Sequence, residues 1–550
     1  MTAPSQPLKP RFLLLLLLIS ALIWFSNLEY RKLVRPDEGR YSEIPREMVA
    51  SGDWLTPRLN GFKYFEKPPL QYWATAAAYT AFGEHHWTAR LWPALTGLLG
   101  VLAVYLCGVR VFGADAGLYA ALTLASSLLY AMIAHVNTLD MGLTFFMTAA
   151  LAGFLLAQRP GASAADNRNA MLVAWAATAG AIMSKGLIGV VLPAAVVAIY
   201  MLVQRDFALL RRLHFGKGIG VLLLLTAPWF VAVSLANPEF PQFFFVHEHF
   251  ERFLTSVHRR DQPWWYFVPI LLGGVLPWTV TMADAFVRAL RPQPGPAFQP
   301  QRFLLIWVAF IYLFFSVSSS KLPSYILPMF PALALLAGWR LAAISAHALK
   351  WQLRFALLAG GVWLAVTPLA LEFANDEVPV ELYYDYLPWL AAAALALVAG
   401  SGYALWQNRR GRIRPALIAL SLSGLLAAQL ALTGHDALSP ASSSYYLAQR
   451  IAPYLKPGVP FYSVGTYEQT LPFYIKRTVT QVEFLDELSF GAQLEPRLWV
   501  PDLATFEKLW RGQTYALALT DPDTYERLLR MKLPMRVIAR DTRRIVVRTP

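Results

Sequence analysis

Apolar runs long enough to cross a bilayer, about 20 residues each, recur along this chain between short polar stretches. They fall near 12–29, 88–109, 114–134, 138–157, 170–184, 186–203, 217–236, 266–287, 303–318, 323–342, 354–372, 387–406 and 415–433. The pattern predicts about thirteen membrane helices within residues 1–433. The first run follows Lys9-Pro10-Arg11 as in a signal peptide, but no small-residue cleavage pattern precedes the charged stretch behind it, so it is read as a retained helix. The pattern changes over 434–550. Strand-like runs near 459–464, 478–484, 515–519 and 535–548 alternate there with helical stretches near 467–475 and 522–531, which predicts a small α/β domain. The fold class is mostly α, a polytopic membrane bundle with a C-terminal α/β domain.

Charge then orients the bundle. If the spans alternate, Arg110, Arg159, Arg168, Arg205, Arg211, Arg212, Arg288, Arg291, Lys350, Arg354 and the cluster Arg409, Arg410, Arg412 and Arg414 share one side, which the bias of basic residues marks as cytoplasmic. The opposite side receives the loops 30–87 and 237–265, turns near 318–325 and 372–385, and the domain 434–550. Over 550 residues the chain is 56% hydrophobic and only 15% charged, which excludes an ordinary soluble protein. The net charge of +14 is mostly this topological basicity and implies no nucleic-acid partner. A single cysteine, Cys107, excludes an intramolecular disulfide and a Cys-rich zinc site.

Chemistry is expected on the outer side, because charges beside a membrane are costly unless they face water or a polar cleft. Asp37 follows the first span and Asp140 opens the fourth, two carboxylates at the mouths of spans. Each either holds a substrate hydroxyl or amine, or simply pairs with an arginine such as Arg35 or Arg40. Lys67, Arg252, Arg259, Arg260, Lys185 and Lys321 defy the inward bias of positive charge. A phosphate-bearing substrate explains them, with lipid headgroups as the bland alternative, favoured for Arg259 and Arg260. Tyr325 reads as a phosphate-binding phenol or an aromatic belt residue, and Pro323, Pro328 and Pro331 break the helix around it beside a polar cavity. Glu84 and His86, two apart, suit a divalent cation, zinc by ligand type, if the backbone is extended there, but no second ligand pair accompanies them. The C-terminal domain offers no phosphate loop or nucleophile motif, so its expected part is to scaffold the site.

Asp37-Glu38-Gly39-Arg40-Tyr41, Tyr64-Phe65-Glu66-Lys67-Pro68-Pro69, the Leu139-Asp140 of the fourth span, Ser184-Lys185-Gly186 and Lys321-Leu322-Pro323-Ser324-Tyr325-Ile326-Leu327-Pro328 carry a resemblance. Together with the exported C-terminal domain they resemble the GT-C glycosyltransferases of the protein O-mannosyltransferase superfamily, and within it the bacterial lipid A aminoarabinose transferases. The resemblance implies a donor of undecaprenyl phosphate carrying 4-amino-4-deoxy-L-arabinose, lipid A as acceptor, and resistance to polymyxin and other cationic antimicrobial peptides. It implies a multi-pass monomer of the bacterial inner membrane, in contact with membrane lipids, with a periplasmic active site. Asp37 and Asp140 match the family's catalytic acids. Lys67, Arg252 and Tyr325 match groups that hold the lipid-linked phosphate, and Arg40, Tyr41 and Glu66 fall among the substrate-binding residues. No cofactor is required on this reading, apart from the zinc option at Glu84 and His86.

A sugar on a phosphate carries its own leaving group, so the expected reaction is a single displacement with inversion. Two other readings compete. A transferase acting on a protein hydroxyl needs Asp37 as a base, and a lipid flippase needs charges at mid-membrane and internal repeats, whereas these charges gather on one outer face.

Overall fold

The computed structural model describes residues 10–251, 262–291 and 298–550. All thirteen apolar runs hold helical structure, but they are not thirteen uniform spans. Among the described residues, eight helices have the length and hydropathy to cross a membrane: His86–Phe112, Asp140–Ala157, Phe215–Ala236, Pro300–Val317, Pro323–Ala342, Ala346–Phe373, Val380–Arg409 and Ile413–Ser442. A ninth is the pair Phe267–Gly274 and Thr279–Ala289, bent by 109°. The chain is a multi-pass membrane protein.

Four runs depart from a full crossing, each for a local reason. Helix α1 (Pro10–Phe25) has 16 residues. After α2 (Asp37–Ser51), α3 (Leu70–Phe82) and α4 (His86–Phe112), the run near 114–134 divides at the extended Ser127 into α5 (Ala114–Ser126) and α6 (Leu128–Ile133). Beyond α7 (Asp140–Ala157), α8 (Ala164–Lys185) opens on Asp166, Asn167, Arg168 and Asn169, too polar for a membrane centre. Helix α9 (Ile188–Gln204) has 17 residues and precedes α10 (Phe215–Ala236).

The first outer loop is largely helical. Asp37 and Glu38 occupy the first turn of α2, where carboxylates suit the positive end of the helix dipole, and Gly52 at φ 75° ends the helix in the left-handed conformation. A two-stranded hairpin, β1 (Arg58–Leu59) and β2 (Phe62–Lys63), turns through Asn60 and Gly61 and leads into α3. In the second outer loop, residues Gln242–Glu251 form a π-helix.

The C-terminal segment is the expected α/β unit. Its strands β3 (Phe461–Val464), β4 (Thr480–Val482), β5 (Trp499–Val500), β6 (Leu517–Thr520), β7 (Arg536–Arg540) and β8 (Ile545–Arg548) lie in the order β5-β4-β3-β6-β8-β7. The first four run parallel, β8 runs antiparallel to β6, and β7 runs antiparallel to β8. The run expected as one strand at 535–548 is a hairpin, because Asp541 accepts the backbone N–H groups of Arg543 and Arg544 and turns the chain. Strand β5 has two residues, too few to show alternation in the sequence.

The first outer loop and this domain share a core. Tyr41, Ile44 and Met48 of α2 and Leu59 and Phe62 of the hairpin pack with Phe461, Leu471 and Leu517. At the contact, a Cβ on Gly39 would lie 2.6 Å from the backbone carbon of Gln469 and 2.7 Å from the nitrogen of Thr470. Glycine is needed there for the approach itself.

Candidate active site

Helix α7 starts at Asp140 and α8 ends at Lys185, so two antiparallel neighbours bring a carboxylate and an ammonium to the same end of the bundle. Each charge suits its helix terminus. The Lys185 ammonium donates to Asp140 Oδ1, and Ser324 Oγ donates to Oδ2 at 2.7 Å. The arginine pairing weighed for Asp140 is thus replaced by lysine and serine. Lys185 Nζ also lies 4.8 Å from the centre of the Tyr325 ring, whose segment is the short 3-10 helix Pro323–Met329. Asp37, half-exposed on α2, lies within electrostatic reach of Lys185.

Lys67 follows the hairpin. Its ammonium donates to Glu248 Oε2 at 2.9 Å and to the backbone carbonyl of Glu66 at 2.7 Å. The Glu66 carboxylate acts on Arg40, Tyr41, Tyr64 and Tyr72, which places it among them. Arg40 is the hub of that group: its guanidinium is 2.5 Å from Glu487, 3.3 Å from the Tyr64 hydroxyl and 3.9 Å from Asp37. It also sits 5.7 Å over the Tyr41 ring. Burial raises the Glu487 carboxyl while Arg40 pulls it down, and it comes to rest at about 6.

Glu38, beside Asp37, does a different job. It grips Arg90 through two contacts of 2.7 and 2.8 Å and accepts the backbone N–H groups of Val34 and Asn137. Burial alone would raise this carboxyl, but the Arg90 charge overrides it and holds it at about 2. Glu38 therefore fixes the start of α2 and presents its neighbour Asp37.

Of the residues singled out in the sequence, Asp37, Arg40, Tyr41, Glu66, Lys67, Asp140 and Tyr325 fall at this end of the bundle. Arg252, Arg259 and Arg260 lie outside the described residues. Arg35 bonds Glu377, and buried Lys321 donates to the carbonyls of Gln262 and Ser318. Glu84 and His86 are drawn apart. Glu84 pairs with Lys476 at 2.6 Å, while His86 lies between the Glu29 carbonyl and the Tyr474 hydroxyl at 3.1 and 3.2 Å. No cluster of three or more metal-ligating side chains occurs among the described residues. The structure also brings in Ser324, Glu248, Tyr64, Tyr72 and Glu487, which had not been singled out as site residues. Glu487 had no sequence signal, since only the docking of the C-terminal domain delivers it.

Beside the ends of α8 and α10 lies an open cavity of about 510 Å³, lined by Ile182, Leu187, Leu223, Phe230, Leu235 and Phe244. The arrangement joins cations for a phosphate, carboxylates for hydroxyls or an amine, and a nearby apolar surface.

Residues 10–244 match the family model of the dolichyl-phosphate-mannose-protein mannosyltransferases, and residues 447–549 that of the aminoarabinose transferase C-terminal domain. The undecaprenyl phosphate-alpha-4-amino-4-deoxy-L-arabinose arabinosyl transferase of Erwinia tasmaniensis is 33% identical over 407 residues, covering 71% of this chain and 73% of its own. That of Pseudomonas paraeruginosa is 32% identical over 431 residues, covering 76% and 75%. The crystal structure of ArnT from Cupriavidus metallidurans bound to undecaprenyl phosphate superposes with a TM-score of 0.94 at 41% identity, covering 98% of both chains. The archaeal oligosaccharyltransferase AglB of Archaeoglobus fulgidus, at 15% identity and a TM-score of 0.51 over 94% of this chain and 70% of its own, shares the fold. By sequence, domain content and fold, the chain belongs to the undecaprenyl phosphate-aminoarabinose arabinosyl transferase family of GT-C glycosyltransferases.

Proposed function

We propose that this protein transfers 4-amino-4-deoxy-L-arabinose from undecaprenyl phosphate to a phosphate of lipid A, on the periplasmic face of the bacterial inner membrane. The modification removes negative surface charge and so protects against polymyxin and other cationic peptides. One observation carries the reading: Lys67, Lys185, Tyr325, Asp37 and Asp140 converge at one end of the bundle, beside an apolar cavity suited to a polyprenyl chain.

In the reaction an acceptor phosphate oxygen forms a bond to the anomeric carbon while the bond from that carbon to the donor phosphate oxygen breaks, its electron pair leaving with the lipid phosphate. Lys67 and Tyr325, with Arg252 from the second loop, stabilise that departing charge. The acceptor phosphate is ionised at neutral pH, so Asp37 positions it or binds the sugar amine rather than acting as a strong base. Asp140 holds Lys185 in place. The single displacement inverts the anomeric carbon and leaves no sugar on the enzyme. Residues 1–433 supply the bundle and outer loops, 434–550 the domain that braces them, and the monomer suffices.

Mass spectrometry of lipid A from cells with and without this chain tests the proposal. A pentosamine-sized increment that depends on the chain and is lost with Lys67→Ala is expected. Unchanged lipid A, or a sugar found on protein instead, would overturn it.

A further inference from the structure

Tyr72 is fully buried on α3, yet its hydroxyl has no hydrogen-bond partner among the described residues. A buried phenol normally finds one, because an unmade hydrogen bond forfeits the hydration it had in water. Charged groups acting on this hydroxyl include Glu66, Arg40, Glu248 and Glu487. They are the same groups that surround Lys67 and the Arg40 hub. The Tyr72 ring stands 6.2 Å from that of Tyr41 with 27° between the planes, and the Tyr41 and Tyr64 phenols share Glu66 and Arg40 as neighbours. Burial, reinforced by Glu66, pushes the Tyr72 phenol well above its ordinary range, so it remains a neutral O–H with a proton to donate.

The charge balance around the hydroxyl selects among ligands. Glu66 acts on the hydroxyl more strongly than the other charges and disfavours a phosphate oxygen there, whereas a neutral or cationic group rich in hydroxyls meets no such repulsion. Arg40 is paired with Glu487, and Lys67, beside Glu248, serves the phosphate, whereas Tyr72 keeps its donor unspent. We propose that Tyr72 is a specificity-determining residue of the donor site, its O–H donating to a polar atom of the transferred sugar while Lys67 and Tyr325 hold the lipid phosphate. This rests on the transferase reading above.

The test compares binding of two lipids to the full-length protein in nanodiscs: undecaprenyl phosphate, and the same lipid carrying 4-amino-4-deoxy-L-arabinose. Tyr72→Phe keeps the ring that packs in the core and removes only the hydroxyl. The expected result is binding of the sugar-bearing lipid weakened roughly tenfold, with binding of the sugar-free lipid within about twofold of wild type. A fluorotyrosine introduced at position 72 makes the O–H a stronger donor on a nearly unchanged ring, and should tighten the sugar-bearing lipid alone. Equal weakening of both lipids by Tyr72→Phe, or no change in either, overturns the proposal, the second outcome meaning that the hydroxyl serves only water. A wild-type protein that does not discriminate the two lipids overturns it as well. Failure of the transferase reading is seen separately, as wild-type protein that binds the sugar-bearing lipid but moves no sugar to lipid A.

Discussion

Arg40 on α2 lies 2.5 Å from Glu487 of the C-terminal domain, an ion pair that bolts the domain to the loop carrying Asp37. Burial lifts the Glu487 carboxyl to about 6 in spite of Arg40. Between the ordinary carboxylate value and about 6 the folded protein keeps a proton that the unfolded chain has lost, so this group's contribution to stability declines as pH rises through that window. The ion pair behaves in the opposite way, forming as pH rises through about 6. If the pair aligns the site, wild-type kcat/KM should climb between roughly pH 5 and 7. Glu487→Gln should lose at least about tenfold in activity at neutral pH, because it leaves a largely buried guanidinium without its nearest counter-charge. It should also lose this inflection, and an unaltered pH profile would show that the pair is only structural.

Gly39→Ala tests the docking more directly. The added methyl would sit 2.6 Å from the backbone of Gln469, and backbone cannot swing aside as a flexible side chain can. The domain must shift away from α2, carrying Glu487 off Arg40. The expected outcome is a loss of about 1–3 kcal/mol in stability, faster proteolysis between residues 434 and 480, and reduced transfer. Normal proteolysis and normal transfer together would refute the docking role.

Asp140 and Lys185 form a largely buried pair, so removing one charge strands the other. Lys185→Met and Asp140→Asn should each cost about a hundredfold or more in kcat/KM, typical of lost electrostatic organisation at a reacting centre. The double variant should fall well short of the product of the two single losses, since the second substitution no longer abandons a charge. Strict additivity, measured by transfer kinetics, would mean that the two groups act independently.

The membrane bundle was legible in the sequence because each span writes itself as a long apolar run, and the outer motifs stood out as charges placed where charges are costly. Asp37, Lys67, Asp140 and Lys185 stood out that way, and Tyr325 stood out through the prolines that break the helix around it. Tyr64 and Tyr72 were passed over because aromatic residues near a membrane are ordinary. Glu487 was invisible for a stronger reason: it sits in a 3-10 turn with no motif, more than 400 residues from Arg40, and only the packing of two separate chain regions joins them. Glu84 and His86 show the converse. Their spacing suited a metal, but spacing cannot foresee Lys476 and Tyr474 arriving from the C-terminal domain to claim them.

Glu47, one turn beyond Glu43 on α2, gives the last prediction. Arg46 serves Glu43 through two short contacts, while Glu47 accepts the Gly61 backbone N–H at 2.9 Å, draws on that of Asn60 and hydrogen-bonds the Glu43 carboxylate. Burial, with the Glu43 charge beside it, pushes the Glu47 carboxyl up to about 8, so it carries its proton at neutral pH. The unfolded chain releases that proton at the ordinary carboxylate value, near 4 to 5. Over the interval up to about 8 the folded state binds more protons, and stability must fall as pH rises. Glu47→Gln preserves an acceptor for Gly61 and removes the titration. Its thermal midpoint should match wild type near pH 5 and exceed it increasingly toward pH 8 and beyond, by an amount on the order of 2–5 kcal/mol of unfolding free energy at the upper end. Midpoints of the two proteins followed across that range decide the matter: parallel curves would mean that Glu47 is ionised in the folded protein and that its surroundings are more polar than its burial implies.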